Sequence, residues 1–327
     1  MSFKAIPGQP AAKRMLQNSL RRGKVSHAYI FSGPVGTGRR QMALALAKAL
    51  YCRHRTEDQD ACGECLDCRK VAHGNHPDIH IVEPEGQTIK IDQIRALQKE
   101  FAYKATASAT KIYILVQAER MTSQAANSLL KFLEEPASSV VAILITENGN
   151  GLLPTIQSRA QWISFTPMPR GDMVTVLQQE GHALPLILPA VHLAAGVDAA
   201  RELVTAPWFA EMRNVVIQLA REACTRFPQA FMTIQQRLAK SELAEHLPTF
   251  YDLLVLWLKD MVQLTLMRQE HLVYKDQTDW MAQIARTKDV REWIRITGQA
   301  LELQKRLRSN ANPQLLLEKT IISIQGG

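Results

Sequence analysis

The first fifty residues contain no aspartate and no glutamate, although they carry nine lysines and arginines. A segment of one charge sign suits a phosphate-rich or acidic partner, with a solvated basic face as the plain alternative. Long apolar runs are missing as well: nothing approaches the roughly 18 consecutive apolar residues that cross a bilayer. The start, Met-Ser-Phe-Lys-Ala-Ile-Pro, has no apolar signal core. These absences point to the cytoplasm and to no membrane partner. There is no internal repeat and no low-complexity tract. The 327 residues suggest two or three domains, and a hydrophobic share of 46% is enough for ordinary globular cores.

Cysteine is scarce outside one stretch. Of five, Cys52, Cys62, Cys65 and Cys68 fall within seventeen residues, while Cys224 stands alone in a helical pattern and is expected in the core. Thiolates at this spacing can wrap one tetrahedral ion, and four sulfurs leave no open position for chemistry. A structural Zn²⁺ is the preferred reading. An iron–sulfur cluster uses similar spacing but lacks here its usual fourth Cys followed by Pro, and free or disulfide-bonded thiols stay open as a further alternative. Because metal binding supplies folding free energy, the site should hold this sparsely apolar insertion rigid.

A second scarcity is chemical. Gly33-Pro-Val-Gly-Thr-Gly-Arg-Arg40 follows the apolar run Ala28–Phe31 and opens into a helical pattern, Gln41–Leu50. That is the context of a phosphate-binding loop, Gly-x-x-x-x-Gly-Lys-Ser/Thr, in which backbone N–H groups curl around phosphates, the Lys reaches the β/γ oxygens and the hydroxyl holds Mg²⁺. Gly33, Gly36 and Gly38 are present, but Arg39 takes the Lys position and Arg40 the hydroxyl position. A planar five-donor fork does not substitute for a compact ammonium, and Arg40 offers no oxygen ligand. A glycine-rich turn that never meets phosphate is the bland alternative.

The second half of such a site fails independently. Lys111-Ile-Tyr-Ile-Leu-Val-Gln117 reads as a buried parallel strand, at whose end an ATPase needs an Asp for Mg²⁺ and then a Glu for the attacking water. Gln117 and Ala118 stand there, and Glu119 is one place late, on the other face of a continuing strand. Val140–Thr146 is another buried strand, with Thr146 at the carboxyl end where open α/β sheets bind ligands. Further expectations are a helix over 9–22, a strand at Ile79–Val82 with another at Ile89–Ile91, a helix capped by Asp92, and a helix from Thr122 or Ser123 that Pro136 stops. His27 is expected in packing or a hydrogen bond. From Trp208 the pattern is all helical: 212–226, 231–240, 247–267, 280–287, 290–307 and 314–324. Leu253, Leu254, Trp257, Leu258 and Met261 form one broad apolar face.

Leu129-Leu-Lys-Phe-Leu-Glu-Glu-Pro136, followed by Ser158-Arg159, resembles the bacterial clamp-loader branch of the AAA+ family, with motifs covering residues 28–160. The family pattern ends this second motif in Cys, where Ala160 stands. The resemblance implies an AAA+ α/β parallel-sheet module over 1–166 with a zinc module at about 52–75, a helical lid over 167–207 and an all-α collar over 208–327 that assembles subunits. It further implies that Arg159 is an arginine finger reaching the ATP site of a neighbouring subunit. Active members carry an Arg in the last lid helix that Gly196–Ala200 lacks, so nucleotide binding is expected to be weak or absent, with no catalytic activity of its own. The implied partners are ATPase subunits of tau/gamma type, a delta-type subunit, the sliding clamp and primer-template DNA. Two rivals stand beside this reading. One is a self-sufficient ATPase using Arg39; the other is a zinc-dependent nucleic-acid-binding module using the basic opening segment.

Overall fold

The computed structural model describes residues 2–102, 110–134, 139–239, 241–307, 309 and 311–326. Pro136 and Lys240, expected at helix ends, lie outside the described residues. The chain divides into two compact units, Met1–Pro169 with Ala195–Asp198, and Arg170–Ala194 with Ala199–Gly327.

The first unit runs α1 (Pro10–Arg21), β1 (Ala28–Ser32), α2 (Arg39–Tyr51), α3 (Leu66–Ala72), β2 (Ile79–Val82), α4 (Ile91–Ala102), β3 (Lys111–Val116), α5 (Ser123–Glu134), β4 (Val140–Thr146), α6 (Pro154–Gln157) and β5 (Gln161–Ser164). Five parallel strands are ordered β2-β3-β4-β1-β5. Alternating residues feed two cores. Tyr29, Phe31, Ile112, Ile114, Ile143 and Ile145 pack with α1 and α2 on one face, while Ile30, Tyr113, Leu115 and Leu144 pack with α4 and α5 on the other. A strand buried on both faces must be apolar at every position, which is why β1, β3 and β4 read as continuous apolar runs. Ala43, Ala45, Ala47 and Ala49 are fully buried in α2 and let it lie close to the sheet. The Thr122 hydroxyl accepts from the Ala125 N–H at 3.2 Å and caps α5.

Two expectations for this unit are corrected. Ile89 makes a single bridge to Met121 rather than a strand, because α4 has already begun at Ile91. Asp92 consequently lies inside the first turn of α4 instead of ahead of it. The edge strand β5 and helix α3 were not anticipated. In β5 only Ile163 is buried, and α3 draws its burial from Cys68 and Val71 rather than from an apolar stripe.

The second unit is helical: α7 (Arg170–Gln179), α8 (Leu184–Leu193), α9 (Val197–Thr205, whose first two residues belong to the first unit), α10 (Pro207–Thr225), α11 (Phe227–Thr233), α12 (Leu247–Thr265), α13 (Thr278–Ala285), α14 (Val290–Leu307) and α15 (Pro313–Gln325). The expected helix over 231–240 is instead α11 followed by a π-helical stretch, Ile234–Ala239, because Phe227-Pro228 starts a new helix earlier. Helix α12 is buried nearly all round and centres the unit. Its Trp257 packs on Trp280 and Trp293, with ring centroids 6.1 and 6.0 Å away. Among the described residues no helix is long and apolar enough to cross a membrane.

Asp260 on α12 is 2% exposed and accepts the N–H groups of Val273 and Tyr274 at 2.9 and 2.7 Å, pinning the segment before α13. Burial pushes this carboxyl up to about 6, against the downward pull of those two amides. A carboxyl raised on folding holds its proton more tightly in the native chain. Its contribution is therefore complete below the ordinary value of 3.8 and is lost as pH rises through about 6. In urea unfolding from pH 4 to pH 7, the wild type should lose about 2 kcal/mol relative to Asp260→Asn, since most of the shift falls inside that window.

Candidate functional site

The loop Gly33–Gly38 leaves β1 and enters α2, as its pattern predicts. Gly36 and Gly38 have φ of 77° and 82°, the left-handed region that glycine adopts without strain. Other segments of the same unit pack on this loop. Gly196 presses on the loop so closely that a Cβ there would lie 1.7 Å from the Gly36 carbonyl oxygen. Gln9, 8% exposed, donates through Nε2 to the carbonyls of Thr37 at 3.2 Å and Thr166 at 2.7 Å, stapling the loop to the segment after β5. Ile6, Pro7, Met168, Val197 and Asp198 close the remaining sides and leave about 10 Å³. That is room for about one water, where small-molecule clefts measure roughly 300–1,000 Å³.

The two arginines that follow the loop both have carboxylates nearby. Arg40 pairs with Glu83 at 2.7 Å. Burial lowers the Arg39 guanidinium below its ordinary value, and the nearby carboxylates of Glu147 and Glu119 pull it back up. An arginine remains charged throughout. Glu119 thus reaches the site, contrary to the face argument from the sequence. Strand β3 stops at Val116, Gln117 turns to φ 55°, and Ala118–Arg120 form a 3₁₀ turn, so strand alternation no longer applies. Glu119 accepts the Glu147 N–H at 3.2 Å, whereas its Oε2 and the Thr146 hydroxyl are buried without a partner among the described residues. Two carboxylates, those of Glu119 and Glu147, thus lie near the Arg39 guanidinium at this end of the sheet.

Arg159 lies just beyond α6, well away in sequence from the loop, and its side chain is 37% exposed. Its Nη1 donates to the Thr155 carbonyl at 3.0 Å and the Ser158 hydroxyl at 3.3 Å. The guanidinium is therefore held on the surface of the first unit.

Cys52, Cys62, Cys65 and Cys68 come together, with all four sulfurs within 4.8 Å of one another. Sulfurs around a tetrahedral ion at about 2.3 Å lie about 3.8 Å apart, and Cys62 and Cys68 are already at 3.9 Å. The N–H groups of Cys65 and Glu64 pull the Cys62 thiol down to about 6. Burial pushes Cys52 and Cys68 up, an opposing effect that a bound cation offsets by stabilising thiolates. The donor set fits one soft divalent metal ion. Apart from Ala61, little apolar material supports this cluster. Buried Asp60 moors it by accepting the N–H groups of Phe3 and Lys4 at 3.0 and 3.1 Å. Cys224 is partly buried, and its thiol is pushed up to about 11 by burial.

Gln9 and Gly196 had no signal in the sequence, since each acts through a long-range contact with the loop. Restoring the motif with Arg39→Lys and Arg40→Thr should not create nucleotide affinity: fluorescent ATP is expected to show no saturable binding to the isolated chain up to about 1 mM, because the obstruction is steric.

Comparison with known proteins bears on the whole chain. Residues 8–169 match the family described as DNA polymerase III, delta subunit, and residues 214–326 match DNA polymerase III, delta subunit, C terminal. The DNA polymerase III subunit delta' of Bacillus subtilis is 36% identical over 323 residues, covering 98% of this chain and 97% of that one. Its counterpart in Pseudomonas aeruginosa is 31% identical over 261 residues, 76% of this chain and 75% of that one. The Bacillus subtilis DNA polymerase III subunit tau is 35% identical over 163 residues, 50% of this chain and 29% of its own length. Similarity to delta' spans both units where similarity to tau covers half the chain, and on that basis the chain belongs to the family of DNA polymerase III delta' subunits.

Proposed function

We propose that the chain is the non-hydrolysing, stator-like subunit of a DNA polymerase III clamp loader, and that it supplies Arg159 to the ATP site of a neighbouring tau/gamma-type subunit. One observation carries this reading: the loop that would hold ATP is closed to about 10 Å³. Without turnover of its own, the chain serves the motor subunits as a fixed wall. Clamp opening and loading on primed DNA then proceed through those subunits, a delta-type subunit and the sliding clamp. The division into a module over 1–166, a lid over 167–207 and a collar over 208–327 belongs to the same proposal. So does a structural Zn²⁺ on Cys52, Cys62, Cys65 and Cys68, which would keep the insertion folded without taking part in chemistry.

The basic opening segment is partly spent inside the chain, since Arg40 pairs with Glu83 and Lys4 lies 3.9 Å from Asp58. That favours a subunit over a self-contained DNA-binding module, and the closed loop disfavours a self-sufficient ATPase.

Two experiments test the proposal. In the reconstituted loader with clamp and primed DNA, Arg159→Ala should remove most stimulated ATP hydrolysis with assembly intact, since a trans arginine contributes about 10³–10⁵ at the site it reaches. Arg39→Ala should change that rate less than about twofold, because a sealed loop adds nothing to turnover. The reverse pattern would overturn the reading. For the metal, elemental analysis should find zinc in the purified chain, and Cys68→Ser should release it and lower the unfolding midpoint by about 5–10 °C, as expected for a loss of a few kcal/mol at this size.

A further inference from the structure

The pairing of Arg159 goes further than its own motif. Its Nη2 lies 2.8 Å from Oε1 of Glu134, the last residue of α5, while Nη1 is engaged by Thr155 and Ser158. A guanidinium has five N–H donors in a rigid fork. Three are committed by these contacts, which leaves Nε–H and one Nη2–H uncommitted among the described residues. Two free donors on one planar group are what a phosphate oxygen pair accepts.

We propose that Glu134 is a positioning residue for Arg159: it holds the guanidinium in the orientation from which the two remaining donors meet the γ-phosphate of the neighbouring subunit. The inference rests on the reading of Arg159 as a group acting in trans. An unanchored arginine spreads over many rotamers, and each must be given up when phosphate is gripped. Glu134 fixes the side chain beforehand from a different element, the end of α5, whereas Thr155 and Ser158 belong to the arginine's own turn. Preorganisation of this kind acts on the rate at saturating ATP, because the guanidinium gains most where charge develops in the transition state. Stability is hardly involved, since half-exposed surface ion pairs add little.

The test uses the complete loader with clamp and primed DNA, comparing Arg159→Ala, Glu134→Ala, Glu134→Gln and the double Ala variant. Glu134→Ala should lower kcat about tenfold with KM for ATP nearly unchanged and the unfolding midpoint of the chain unmoved. Glu134→Gln, which keeps the acceptor oxygen, should recover most of that loss. Arg159→Ala with Glu134→Ala should be no slower than Arg159→Ala alone, since the carboxylate has nothing left to position. A large loss in Arg159→Ala beside an unchanged or faster Glu134→Ala overturns the positioning role and leaves the trans arginine standing. Additive losses in the double variant also overturn it. A silent Arg159→Ala removes both proposals together.

Discussion

Burial of β1, β3 and β4 on both faces governs everything else in the first unit. Tyr29 to Phe31, Ile112 to Leu115 and Ala142 to Leu144 are fully buried, so no polar side chain can act from the body of these strands. At about 25 cal/mol for each Å² of apolar surface removed from water, such a sheet is the main source of stability. It also confines chemistry to the carboxyl ends, where the loop after β1, the turn after β3 and Thr146 meet. The same burial keeps the loop after β1 and the turn after β3 in place whatever residues they carry. Glycine turns, strand ends and helix starts are fixed by packing that does not depend on Arg39, Arg40 or Gln117.

Much of this was legible in the sequence. The runs at 28–31, 111–117 and 140–146 announced buried parallel strands, and β4 and β2 occupy the residues expected of them. Four cysteines at short spacing announced a common site, and their sulfurs do converge. Strand β5 was not legible, because an edge strand with one buried residue carries neither alternation nor an apolar run. Glu119 was misplaced by assuming that a strand continues through Gln117, where the backbone turns left-handed. Gln9 and Gly196 could not be found by pattern at all. A glutamine that joins two carbonyls and a glycine that lets one segment lie on another announce themselves only in three dimensions.

Two kinds of scaffolding coexist in the first unit. The sheet is held by apolar area, whereas the cysteine insertion has almost none and is moored by Asp60, with the proposed metal as its further support. With a metal bound as proposed, these respond to different stresses: the first weakens with denaturant, the second with acid, chelation or oxidation of its thiols.

The closed loop also bears on what the chain can sense. A ligand stabilises or reshapes a protein only in proportion to its preferential binding. On the function proposed above, in which the loop takes no nucleotide, neither the stability nor the conformation of this unit is linked to nucleotide through it. On that proposal its geometry is the same in a starved cell and a growing one. An assembly built partly from such a unit has one member whose shape is a constant, and against a constant the nucleotide-driven changes of other members acquire a direction.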